Sequence, residues 1–192
     1  MEMSILNKKY HLISIIGSHA GEDISFIFDR KQTELRDKNK TYWMLKSFKA
    51  ETAQIQKLCS HAALEHEDVY CLFINAAAKN GARPTTHNSS VRHISEDDKI
   101  WEILPEGFTI TGKIDAKSTA LVLNELQIAD PVLKIDLWQY SEFKDHTPNP
   151  IKFQLGASTI CSEQIPAESM KSRFRSVLAW GRLTYPYAVF IK

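Results

Sequence analysis

The chain reads as an α+β protein built around a mixed or antiparallel sheet. Three observations predict this. Apolar, β-branched runs recur at Tyr10–Gly17, Val69–Ile74 and Tyr187–Ile191, as strands require. Between such runs the spacing turns helical, with Ile55, Leu58, Cys59 and Ala62 on one stripe of residues 50–65. The composition is that of an ordinary folded chain: 192 residues, 43% hydrophobic, 24% charged, seven Gly and seven Pro. These values exclude collagen-like, low-complexity and wholly disordered classes.

Taken in order, Tyr10–Gly17, the turn-rich Ser18–Asp23 and Ile24–Phe28 predict an N-terminal hairpin over residues 1–30. The charge-rich stretch 29–40 reads as a solvated connection. Tyr42–Phe48, the helical stripe of 50–65 and Val69–Ile74 make a strand–helix–strand unit. Phe108–Ile114 alternates apolar and polar residues. Asp115 then stands in an N-cap position before a helix expected at 116–126, Pro131 stops it, and Val132–Tyr140 alternates again. Lys49-Ala50-Glu51-Thr52-Ala53 and Ala116-Lys117-Ser118-Thr119-Ala120 enter the two helices in a similar way. Two units in tandem give β-α-β-β-α-β, a ferredoxin-like core over 41–140 with both helices on one sheet face.

Residues 77–95 form a long polar connection, a length that tends to carry function. Pro148-Asn149-Pro150 opens a C-terminal extension, 151–192. It holds a short strand near Ile151–Leu155, a helix opened by Pro166 and running past Arg175, and the closing strand. The length fits one domain, 1–192.

Cys59, Cys71 and Cys161 are odd in number and match no disulfide framework, which fits a reducing compartment. The opening residues have no secretory pattern, and no apolar run is long enough to span a bilayer. The expectation is a soluble cytoplasmic protein that stays off the membrane.

Function is best approached through where acids are missing. The formal net charge is only +1. Yet residues 69–95 contain no Asp or Glu while holding Lys79, Arg83 and Arg92, and residues 169–192 contain none while holding Lys171, Arg173, Arg175, Arg182 and Lys192. Segregated positive charge suits a polyanion, because phosphate neutralisation supplies most non-specific affinity. On the expected helix, Lys171, Arg175 and Arg182 share a face. Trp180 and Tyr185 follow them as candidate stacking surfaces. The expected interface is therefore Lys79, Arg83, Arg92, Lys171, Arg173, Arg175, Trp180, Arg182 and Tyr185, on a DNA or RNA backbone. The competing structural account places the cations at a helix C-terminus and the aromatics in the core.

Two other functions stay open. A nuclease would use carboxylates with a lysine, for which Asp130, Asp136, Glu142 and Lys144 are candidates, or His87 and His93 as acid and base. A non-enzymatic subunit would dock its aromatic C-terminus in a protein partner. No phosphate-loop, dinucleotide or nucleophile-elbow pattern is present. Cys59, His61, His66 and Cys71 lack zinc-site spacing, so no metal or cofactor is expected.

Overall fold

The computed structural model describes residues 2–16, 24–45, 52–75, 108, 118–143, 159–165 and 173–191. They form α1 (Glu2–Leu6), β1 (Tyr10–Ile16), α2 (Ile24–Lys38), β2 (Thr41–Leu45), α3 (Thr52–Leu64), β3 (Tyr70–Asn75), β4 (Ser118–Ile128), β5 (Lys134–Asp136), β6 (Tyr140–Glu142), β7 (Thr159–Gln164) and β8 (Phe174–Ile191). A 3-10 turn, Leu137–Gln139, joins β5 to β6. The strands run β2-β4-β8-β3-β1-β7-β6, and β5 pairs with β8. β1 and β3 are parallel, and every other described pairing is antiparallel. The sheet is therefore mixed and the class α+β.

α3 forms where its stripe predicts. Ile55, Leu58, Cys59 and Ala62 are all buried. They pack with Tyr10, Leu12, Cys71, Phe73, Leu121 and Leu123 on one face of the sheet. The helix ends on His66, whose φ of 58° lies in the left-handed region, while Glu67 N donates to Ala62 O at 2.9 Å.

α2 is a correction. Residues 24–28 are not the second strand of a hairpin, and 29–40 is not a solvated connection. The segment is a helix that turns Ile27, Phe28, Lys31 and Glu34 inward. Lys31 Nζ donates to Glu34 at 2.9 Å, and the Thr41 hydroxyl donates to the same carboxylate. A charged pair that satisfies itself internally can occupy core-facing positions. Asn39, at φ 59°, ends the helix through its N–H to Leu35 O at 2.8 Å.

The ferredoxin-like order is not what the described residues follow. Residues 118–128, expected as helix from 116 to 126, are the strand β4. The strands of the 41–76 unit, β2 and β3, are separated in the sheet by β4 and β8. The C-terminal segment is no extension. β8 is an internal strand of 18 residues, paired with β3 on one side and with β4 and β5 on the other. The expected strand at 151–155 lies outside the described residues. In β8, aromatic and β-branched residues, an internal glycine and Pro186 all disfavour a helix. Gly181 is needed at its position, because a Cβ there would lie 3.0 Å from Glu125 O and from Leu123 Cδ1.

The second sheet face is closed by the chain itself. β5 pairs with β8 and β6 with β7, so residues 134–142 complete a ring with β8, β3, β1 and β7. Ile13, Ile15, Leu72, Ile74, Ile135, Leu137, Tyr140, Ile160 and Val177 fill it. α1 stoppers the end where β1 begins, through Ile5. His11 Nε2 donates to Ile5 O at 2.9 Å, which leaves Nδ1 as a buried lone pair with no partner among the described residues. Gln164 Nε2 donates to Leu6 O.

Burial lowers the His11 pKa to about 4, outweighing the Ile5 carbonyl and the Glu67 charge. The unfolded chain takes up this proton below about pH 6.5, and the folded chain only below about 4. Stability is thus fully present above pH 6.5 and falls as pH drops toward 4, by about 3 kcal/mol. Urea titrations of wild type and His11→Gln across that window should show a flatter pH dependence in the variant. Equal slopes would refute the assignment.

Truncation tests β8. Ser118, Thr119, Ala120 and Leu121 pair with Ile191, Phe190, Val189 and Ala188. Deleting residues 187–192 strips β4 of these partners and uncovers the buried Ala188 and Val189 sites. The expected outcome is a chain without a cooperative thermal transition; a truncated chain that melts like wild type contradicts it.

Candidate nucleic-acid interface

The pairing of β3 with β8 brings together the two acid-free runs. Tyr70 faces Arg182, Leu72 faces Trp180 and Ile74 faces Val177. Residues 70–74 of β3 and 177–182 of β8 are therefore hydrogen-bonded neighbours, while 174–176 pair with β5. Lys79, Arg83, Arg92 and Lys171 lie outside the described residues.

The other five expected residues have different surroundings. Arg173 enters β8 with its N–H on the Asp136 carboxylate at 2.7 Å and its carbonyl accepting from Leu137 N at 3.0 Å. Arg175 pairs with Ile135, and its Nη1 donates to Phe174 O at 3.1 Å. It has no acidic partner among the described residues. Arg182 is already neutralised: Nε donates to Asn124 Oδ1 at 3.2 Å, with Glu125 at 3.6 Å and Asp68 at 3.9 Å. Trp180 is 3% exposed and packs edge-on against Tyr70 at 5.8 Å, its buried Nε1 without a partner among the described residues. Tyr185 is 75% exposed on a bulge in which 184–187 oppose Val122, and its ring meets Tyr187 edge-on at 6.0 Å.

Because these residues lie on a strand, the shared helical face does not exist. Arg175 and Arg182 are roughly 20 Å apart along β8 at about 3.3 Å per residue, since a bulge at Leu178 shortens the run, and Tyr185 lies farther along, past Leu183. The strand end collects Arg173 and Arg175. It disperses Arg182 and Tyr185, and it places Trp180 in the core. Sequence reasoning missed the exposed Phe174 beside Arg175, because Phe174 matched an apolar helical stripe where the described residues 174–191 are strand, and it also missed the exposed Lys134.

The carboxylates considered for metal-dependent cleavage serve local structure. Asp130 Oδ1 accepts from Val132 N at 2.9 Å, and Asp136 Oδ1 accepts from Trp138 N at 3.0 Å as well as from Arg173 N. The 3-10 turn at Leu137–Gln139 interrupts the strand between Asp136 and Glu142, so simple alternation does not relate the two. Lys144, His87 and His93 lie outside the described residues. Among the described residues no three His, Cys, Asp or Glu side chains are placed to hold a metal ion. No described helix is long and apolar enough to cross a membrane.

No protein-family model, curated protein or solved structure matches the chain.

The three thiols converge on the helix-covered face. Cys71 and Cys161 flank Leu12 from the two neighbouring strands, and Cys59 comes from α3. All three are buried and free. Burial pushes Cys59 and Cys71 well above the usual thiol range and Cys161 up to about 12. Only the thiolate attacks. In native buffer at pH 8, a thiol reagent should modify none of the three within minutes, and all of them after denaturation. Rapid native labelling of any one would contradict this burial.

Proposed function

We propose that the chain is a non-catalytic nucleic-acid-binding module that holds phosphate backbone where β3 ends and β8 begins. The observation that carries this reading is the antiparallel pairing of β3 with β8, which makes the two acid-free runs neighbours. Lys79 follows Asn75 by four residues, and Lys171 precedes Phe174 by three. Arg182, held by Asp68 and Glu125, and Trp180, in the core, drop out of the interface; Tyr185 stands too far along β8 to share it.

Binding of this kind is electrostatic, with no groove-reading element. Fluorescence polarisation with a labelled duplex between about 50 and 200 mM salt should give a steep log–log fall, roughly 0.9 per phosphate neutralised. Arg175→Glu should weaken binding and reduce that slope by about one. Arg182→Ala should leave binding unchanged and cost under about 1 kcal/mol of stability, as exposed ion pairs do. Absence of binding at low salt, or a salt-independent affinity, rejects the function.

A further inference from the structure

We propose that α1 is a hinged plug on the end of the ring, one that swings open more often as the medium turns acidic. The inference is independent of the nucleic-acid reading. Of the described side chains of α1, Ile5 is buried in the ring's apolar cluster, Leu6 is half-buried against it and Ser4 is exposed. The helix is held by its last carbonyls. Ile5 O accepts from His11 Nε2 at 2.9 Å and from Lys8 N at 3.1 Å, and Leu6 O accepts from Gln164 Nε2. The other neighbours of His11 are built into the sheet. Tyr140 of β6 meets the imidazole edge-on at 5.6 Å, and Tyr70 of β3 and Ser162 of β7 are its cross-strand partners. Among these covers α1 alone is not a strand of the sheet.

The link behind the helix is pinned. Lys8 Nζ pairs with Glu67 at 2.9 Å, and Lys9 Nζ reaches Glu65 at 3.1 Å and Glu163 at 3.5 Å. Lys9 O accepts from Gln164 N at 2.8 Å. Opening therefore pivots at the exposed Asn7 and leaves β1 in register. Lys9 holds the Glu65 carboxyl below the usual carboxylate range, so this pin outlasts mild acid.

The proton-sensitive tie is His11. With the plug closed, Nδ1 has no partner among the described residues, and a proton there would put a charge in an apolar interior. The titratable groups around it do not compensate. Glu67 favours the imidazolium but is engaged by Lys8, and burial pushes the Tyr140 and Tyr70 phenols up, so both stay neutral. The closed form thus resists protonation down to about pH 4. With α1 lifted, water reaches the ring, which then titrates near its ordinary value of about 6.5. The open form binds more protons, so opening grows as pH falls below about 6.5 and levels off below about 4.

The test places a reporter thiol on the plug. Ile5→Cys is labelled with dithiodipyridine from pH 8 to pH 5, alone and combined with His11→Gln, whose amide can donate to Ile5 O without titrating. Dividing the two rates removes the pH dependence of the reagent chemistry. The quotient should rise roughly 30-fold between pH 8 and pH 5. Cys59, Cys71 and Cys161, buried on the helix-covered face, should stay unlabelled throughout and so report an intact sheet. On wild type, amide exchange at Lys8 N–H, corrected for its intrinsic pH dependence, should accelerate by the same factor; it decides the matter if either variant fails to fold. A quotient or an exchange rate that is flat with pH overturns the inference. Labelling of all four thiols together overturns it too, because α1 then leaves only when the whole chain unfolds. Immediate labelling of Ile5→Cys at pH 8 does the same, because no closed plug then exists.

Discussion

Two-sided pairing of β8 is the constraint on which the rest of the structure depends. The strand spans the length of a staggered sheet. Its first residues pair with β5, its middle lies between β3 and β4, and its end pairs with β4 alone. Its backbone groups bond to three strands distant in sequence. Those strands take their places beside it, which makes the fold rich in non-local contacts. Such folds form slowly, because long loops must close before pairing rewards them.

The two faces solve their burial problems differently. Toward α2 and α3, helices cover the sheet in the ordinary way. On the other side, residues 129–142 cross back over and make the sheet cover itself, with α1 at one end. Polar groups mark the boundaries of both arrangements. The Lys31–Glu34–Thr41 cluster sits under α2, Ser14 and Thr159 share a buried hydroxyl contact at 2.8 Å, and His11 ties α1 down. Because each such group tolerates few partners, these contacts favour one arrangement over near alternatives.

What the sequence disclosed follows from whether local pattern and burial agree. In α3, β1, β3 and the end of β8, apolar residues fall where the core lies, and these elements are readable. In α2 the pattern misleads, because Lys31 and Glu34 occupy core-facing positions and neutralise each other, so a buried stripe looks solvated. In β4, Ala120, Leu121 and Leu123 fit a helix as well as a strand buried on both faces. In β8, Phe174 and Val177 happened to match helical spacing, and pairing from both sides decided the outcome. The clustering of Arg173 with Arg175 was visible as missing acid. The neutralisation of Arg182 was not, because Asp68 and Glu125 are far from it in the chain.

Gly181 gives the long strand an address. At that position a Cβ would lie 3.0 Å from the Glu125 carbonyl and from Leu123 Cδ1, closer than most side chains come to a neighbour. A slide of β8 by one residue would set the Cβ of Trp180 or Arg182 at this tight spot, and the Glu125 backbone would have to give way by a few tenths of an ångström. Ladder hydrogen bonds repeat along a strand and cannot by themselves tell one register from the next. A single missing side chain can. The glycine acts as an index notch: alternatives shifted by one or two residues meet a steric penalty at this one site, on top of whatever packing they lose along the strand.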